Sequence, residues 1–286
     1  MCYIGVVRHE LLTYGKVSRC QKGMVISVKN KFFTREICVC AHLTQTRYAQ
    51  KACAEMRIKM TKKRWNGLTS SDLKWIAIIS MIVDHFAVAI YVNTANYQFD
   101  VYRIMRGIGR IAFPIYCFLL VEGFYHTHDV KKYISRCFLF AAISEVPFDL
   151  AVHGVWFYPG AQNVFFTLAI GLCTLYAVSA CERRGMSIIS SAMCVLIGAG
   201  AAQLLETDYH YMGVLCIVLF YYLRRLDKVQ QTVLGVIAVG IVESKAAIAF
   251  LPIYLYNGER GMNLKYFFYL VYPVHLLVLG VIRVLL

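Results

Sequence analysis

Between Leu73 and Val92 the chain reads LKWIAIISMIVDHFAVAIYV. A helix of ~20 apolar residues is long enough to cross the hydrocarbon core of a bilayer. Lipid offers no partners for backbone amides, so a run of this kind is read as a membrane helix. It carries two groups that do not belong in hydrocarbon, Asp84 and His85, side by side. His85 lies ~18 Å along the axis from Leu73, past the midplane. A charge at that depth costs at least ~2.5 kcal/mol on insertion scales, so it calls for a reason.

The composition agrees with the run. Of 286 residues, 59% are hydrophobic and 16% charged, with a mean hydropathy of +0.57, whereas a soluble domain carries about a quarter charged residues. The formal net charge of +14 is unevenly placed: residues 1–64 hold 14 Lys and Arg against three acids. The basic character therefore belongs to a leader, which excludes a reading of the body as a nucleic-acid binder.

Eight apolar stretches follow, at about 73–92, 108–126, 133–152, 163–181, 187–205, 210–223, 232–256 and 264–285. The seventh holds Glu243 and Lys245 and reads as one long span or as two half-helices. The expected fold is all-α, a polytopic transmembrane bundle of about eight spans over 65–286, with no room for an extramembrane domain. Lys and Arg flank the first span at 62–64 and recur at Lys131, Lys132, Arg183, Arg184, Arg224 and Arg225. Positive charge marks the cytoplasmic side, which predicts that both termini are cytoplasmic. Arg103, Arg106 and Arg110, and Arg260 with Lys265, then fall on the outer side and break the pattern.

Residues 1–64 have neither an apolar span nor the apolar core of a signal peptide. They read as a disordered basic tail on anionic headgroups, or as sequence upstream of a true start at Met56 or Met60. The Cys38-x-Cys40 pair has no matched partner for a zinc site, and no metal is expected. The six cysteines of the body read as small apolar residues.

The remaining polar residues fall inside or at the ends of spans. Asp84 and His85 point ~100° apart on a helix, so each is expected to find its own partner rather than the other. Pro114 reads as a kink, with Glu122 and His126 beyond it. Glu145 and Asp149, spaced i,i+4 around Pro147, project two carboxylates from one side. Arg103, Arg106 and Arg110 line one face and either pair with Glu122, Glu145 or Asp149 or grip an anion through guanidinium forks. Asn163 sits where an amide caps a helix. Tyr272 and His275 lie in the last span, as interfacial anchor and helix contact or as site residues. Converging polar groups in a bundle mark a buried site. No phosphate-binding glycine loop, HExxH or GxSxG is present.

In order, LKWIAIISMIVDH, GRIAFPIYCFLLVEGFYHT, FAAISEVPFDLA, QNVFFTL, LYNGERG and KYFFYLVYPVHL resemble the TraX family, over about Leu68 to Leu286. That family is named for a conjugative-plasmid protein that acetylates the N-terminus of pilin, and is similar to integral-membrane acyltransferases that use acetyl-CoA. The resemblance implies a bacterial inner-membrane acetyltransferase with acetyl-CoA as donor and an amine or hydroxyl acceptor on a protein or glycan. Acetyl transfer needs a base, and His85 is the candidate for it, with Asp84 holding a cationic or hydroxyl partner nearby; direct transfer and a covalent acetyl-histidine relay both stay open. Tyr272 and His275 would line the same cavity, and Arg110 and Asn163 would grip the donor or the oxyanion. Glu122, Glu145 and Asp149 are further candidates for substrate contacts. Two other classes stay open: a proton-coupled carrier, which the absence of matching halves weighs against, and a non-catalytic pilus or envelope assembly protein.

Overall fold

The computed structural model describes residues 14–20, 23–30, 33–37, 67–262 and 264–286. The chain divides into two units, at Met1–Trp65 and Asn66–Leu286. In the first, β1 (Tyr14–Cys20), β2 (Gly23–Asn30) and β3 (Phe33–Ile37) form an antiparallel meander in chain order, with Tyr14 opposite Lys29 and Ile26 opposite Ile37. In β2 the run MVISV supplies residues that favour a pleated backbone. Met56, Met60, Cys38 and Cys40 lie outside the described residues.

The second unit is an all-α bundle. Its helices are α1 (Ser70–Ala89), α2 (Phe99–Gly109), α3 (Ala112–His126), α4 (Val130–Val152) and α5 (Val164–Arg183). There follow α6 (Ile188–Leu204), α7 (His210–Leu223), α8 (Lys228–Val242), the short α9 (Phe250–Tyr254) and α10 (Lys265–Leu285). Four stretches, Ser70–Asn93, Phe99–His126, Val164–Arg183 and Tyr266–Leu285, are long and apolar enough to cross a membrane by length and composition. α4 is as long but carries more charge, and the remaining helices are shorter. The perimeter is apolar: Ile79 is 60% exposed, Leu196 64% and Ile241 81%. Such a surface is unstable in water and is suited to acyl chains.

Side chains set the helix starts. Thr69 and Asp72 form a reciprocal capping box on α1, with Asp72 Oδ2 accepting from the Thr69 amide at 2.8 Å. Asp129 caps α4 through the Lys132 amide at 3.0 Å, and that hydrogen bond holds the exposed carboxyl below its usual range. Asp227 caps α8 through Val229 at 2.9 Å. Pro114 does not kink a span. It falls in the first turn of α3, where its missing N–H would have had no helical partner; the expected second span is instead divided at Arg110 and Ile111 into α2 and α3.

The seventh stretch is two half-helices. α8 ends at Val242, Glu243 is extended, and a 3-10 helix over Ser244–Ala249 followed by α9 runs back. This break changes the topology, because it adds one passage through the bundle. Lys228, at the start of α8, donates to the Tyr256 carbonyl at 2.6 Å. The loop after α9 in turn clasps the start of α1: Leu68 N–H donates to Leu255 O at 2.8 Å and Ser70 N–H to Glu259 O at 2.8 Å. Arg260 therefore lies at the same end of the bundle as Ser70, and one of the two violations of the positive-charge rule disappears. α10 then runs parallel to α1, with Trp75 against Phe267 and Phe268 near one end and His85 against His275 further along. It also runs parallel to α4, where Arg283 donates to Ala151 O at 2.8 Å and to Val152 O at 2.6 Å. The bundle consequently ends at Leu286 on the face opposite Ser70. Ser70 and Leu286 thus stand at opposite ends of this bundle, whereas counting residues 232–256 as a single crossing places them at the same end.

Candidate functional site

A cavity of about 560 Å³ runs between α1, α3, α4, α5 and α10. One end is basic and lies beside the start of α1, lined by Lys74, Arg136 and Arg260 with Glu122 and His126. The other end is deep in the bundle and is lined by Asp84, His85, Asp208, Tyr209 and Tyr272. Phe113, Tyr116, Leu120, Leu168 and Tyr269 form an apolar barrel between the two. Polar ends joined by an apolar shaft suit an elongated amphipathic ligand.

At the deep end Asp84 and His85 do find separate partners. Asp84 Oδ2 pairs with Arg106 of α2, while its Oδ1 is buried without a partner. α2 approaches α1 closely there: Ser80 donates to the Ile108 carbonyl, and a Cβ on Gly109 would stand 2.1 Å from Asp84 Oδ1.

His85 Nδ1 lies 2.7 Å from His275 Nε2, and His275 Nδ1 lies 2.7 Å from the Val271 carbonyl. A carbonyl only accepts, so His275 carries its proton on Nδ1 and, when neutral, offers a lone pair at Nε2. That lone pair accepts from His85 Nδ1–H. The proton order along the chain leaves His85 Nε2 as the unprotonated nitrogen of the pair. An imidazole with one nitrogen oriented by a fixed partner and the other free is the arrangement of a general base. His275 does not line the cavity; it stands behind His85, stacked on it with ring centres 5.0 Å apart. Tyr272 does line it, edge-on to both imidazoles, and its buried hydroxyl lacks a hydrogen-bond partner.

The other sequence candidates divide by position. Arg110 sits at the α2–α3 break, 3.8 Å from Glu243 and over the Tyr209 ring. Asn163 caps α5 through the Phe165 amide at 3.0 Å and binds the Ala141 carbonyl at 2.8 Å. Glu145 accepts from the same Asn163 side chain and leaves its Oε1 buried without a partner. These two tie α4 to α5 beside the site, outside the cavity wall. Asp149 lies further out, accepting from the Tyr158 amide at 2.8 Å to hold the loop after α4, so the i,i+4 carboxylates serve different contacts. Glu122 is at the basic end, bound to Arg224 Nε at 2.6 Å and to His126 at 3.5 Å. The three arginines thus pair with none of the expected acids; Asp84 and Glu243 take that part.

Glu122 gives a test of the division. Its ion pair with Arg224 joins α3 to the end of α7. Glu122→Gln is expected to lower stability by about 1–2 kcal/mol for a partly exposed pair, read as a lower thermal midpoint in detergent. Unchanged stability would contradict a structural role.

Asp208 and Tyr209 were not singled out by sequence. They come from the loop between α6 and α7, which pairs with Gln162: Gln162 N–H donates to Glu206 O at 2.9 Å and Asp208 N–H to Gln162 O at 2.8 Å. Thr167 donates to the Asp208 carbonyl. Glu206, Tyr209 and His210 have φ of 50°, 67° and 45°. Left-handed backbone at non-glycine residues is strained and clusters at functional sites. Here it delivers Tyr209 onto Phe113, ring centres 3.7 Å apart, beneath Arg110.

The apolar perimeter and buried polar cavity define a class: polytopic α-helical membrane proteins with a polar cavity inside the helical bundle. More narrowly, the chain belongs to the TraX family, since the family model described as TraX protein matches residues 69–283. It is also 27% identical over 236 residues to a protein of Dichelobacter nodosus described as probable fimbrial assembly protein FimC, serogroup H1, with 73% of this chain and 93% of that protein covered. No solved structure matches it.

Proposed function

We propose that this protein is an integral-membrane acetyltransferase of the bacterial inner membrane, moving an acetyl group from acetyl-CoA to an amine or hydroxyl, with a pilus subunit or envelope glycan as acceptor. The observation that carries this reading is the hydrogen-bonded chain from His85 through His275 to the Val271 carbonyl at the deep end of a cavity whose other end is basic. The D. nodosus relative's description as a fimbrial assembly protein supports the pilus context.

With the basic end of the bundle cytoplasmic, Lys74, Arg136 and Arg260 stand where the phosphates of acetyl-CoA would enter. The apolar shaft accommodates its extended arm, and the thioester reaches His85. The incoming N–H or O–H group attacks the thioester carbonyl carbon. His85 Nε2 takes the proton as the new C–N or C–O bond forms. The C–S bond then breaks, and the CoA thiolate leaves and is protonated from His85. The Tyr272 hydroxyl, buried and unpartnered, is the donor available to the developing oxyanion. This orientation puts Leu286 on the periplasmic face.

CoA is expected to raise the thermal midpoint of the detergent-purified protein, and Lys74→Ala to weaken that effect about tenfold, one charged contact being worth ~1.4 kcal/mol or more. No stabilisation by CoA, with stabilisation by an unrelated small solute, would favour a carrier.

A further inference from the structure

A second recess of about 270 Å³ lies at the end of the bundle opposite the basic mouth, lined by Arg103, Arg106, Arg110, Lys245, Glu243 and Tyr102, with Gly107 at its base. Its position follows from α8, which starts beside the α1 clasp at Lys228 and reaches Glu243 only at its far end. We infer that this recess is a binding site for a phosphate group. On the acetyltransferase reading, which this inference deepens, it selects an acceptor that carries one.

The argument is electrostatic and steric. Four cationic side chains share one small recess, and Glu243 is the single acid in its lining. Asp84 and Asp208 face the arginines from the cavity side: Asp84 pairs with Arg106, and Asp208 feels Arg110 and Arg106. With both counted, one positive charge is still unanswered. The cations are also held in place. Lys245 donates to the Arg103 carbonyl at 3.2 Å and lies across Gly107, where a Cβ would come within 2.7 Å of its Cδ and 3.1 Å of its Nζ. Arg110 reaches Glu243 only at 3.8 Å and bonds the Tyr209 side chain, and its five N–H donors outnumber those contacts. Several guanidinium groups around an ammonium can donate to three or more oxygens of one anion, which a phosphate group offers and a carboxylate does not. The recess is separated from the cavity by the Arg106–Asp84 pair, and Asp84 precedes His85. A phosphate held there would bring the group attached to it toward the histidine from the face opposite the donor.

The test uses the full-length protein in detergent. Inorganic phosphate, or phosphatidylglycerol added to the micelles, is expected to raise its thermal midpoint, with chloride at equal ionic strength and phosphatidylcholine giving much less. Phosphate acting alone identifies a free or soluble phosphate; an effect of phosphatidylglycerol beyond that of phosphate identifies a lipid headgroup. The Arg103→Gln/Lys245→Gln protein is expected to need at least tenfold more ligand while keeping its response to CoA. If that double variant folds poorly, Gly107→Ala, which displaces Lys245, gives the same comparison. Equal responses to phosphate and chloride would overturn the site. So would loss of the CoA response along with the phosphate response, because the recess would then hold the donor. Failure of CoA to stabilise the parent protein removes the donor reading and leaves the phosphate result standing.

Discussion

His85→Ala is expected to insert and accumulate normally and to release thiol from acetyl-CoA 10²–10⁴-fold more slowly, the range a positioned general base contributes. Removing the imbalance of a buried polar ring from α1 does not cost insertion, because alanine is the better tolerated residue in lipid. The loss is chemical: without His85 Nε2 the deep end of the cavity keeps no imidazole lone pair, and the Asp84 carboxylate beside it is committed to Arg106. His85→Gln sharpens the test. Its amide can still donate toward His275, so packing is kept while basicity is lost, and turnover is expected to fall as far as in the alanine variant. His275→Leu should behave differently. His275 touches no cavity space and acts through His85, orienting it at 2.7 Å. Its removal is expected to lower kcat about tenfold with the KM for acetyl-CoA unchanged. Normal thiol release by His85→Ala would end the base assignment. Equal kcat and KM effects in His275→Leu would end the relay.

Apolar length made the helices legible. The run at 210–223 is α7 residue for residue, and 187–205 differs from α6 by one residue at each end. The break at Glu243 was also visible, because an acid and a lysine two residues apart in an apolar stretch do not sit in lipid cheaply. Its consequence was not. Charge asymmetry orients a membrane chain by parity, so one uncertain crossing inverts every later loop, and Arg260 and the C-terminal end change places relative to Ser70 for that single reason. At the site, the separation of Asp84 and His85 followed from helical geometry, and their partners did not. Arg106 comes from a neighbouring helix, and His275 comes from one 190 residues away. Asp208 and Tyr209 were invisible for a different cause. They sit in a short loop with no glycine to announce its left-handed backbone, and only the pairing with Gln162 and the Thr167 hydrogen bond aims them inward. A periodicity argument sees one helix at a time, whereas this cavity is an agreement among five.

Gly109→Leu is expected to be the most damaging single substitution in the helical core. A Cβ at that position meets Asp84 Oδ1, Cβ and Cγ at 2.1, 2.3 and 2.3 Å, far inside contact distance. α1 is held from its other side, where His85 ties it to α10, and the Ser80 bond to the Ile108 carbonyl keeps α2 close at the point of overlap. α2 must therefore separate from α1, and the Arg106–Asp84 pair opens with it. Opening a largely buried pair leaves two uncompensated charges, a cost of about 3–5 kcal/mol, with strain from overpacking of about 1–3 kcal/mol added. Such a sum rivals the stability of an ordinary domain, so the variant should accumulate poorly and melt early. Gly109→Ala carries the same clash with a smaller side chain, and it permits a cleaner measurement. In an Asp84→Gly background all three offending atoms are gone, and the ion pair is already absent. Gly109→Ala should then cost far less than it does in the parent, giving a coupling energy above about 1 kcal/mol in a double-mutant cycle. Additive effects of the two substitutions would mean that the close approach of α2 to Asp84 does not hold this end of the bundle together.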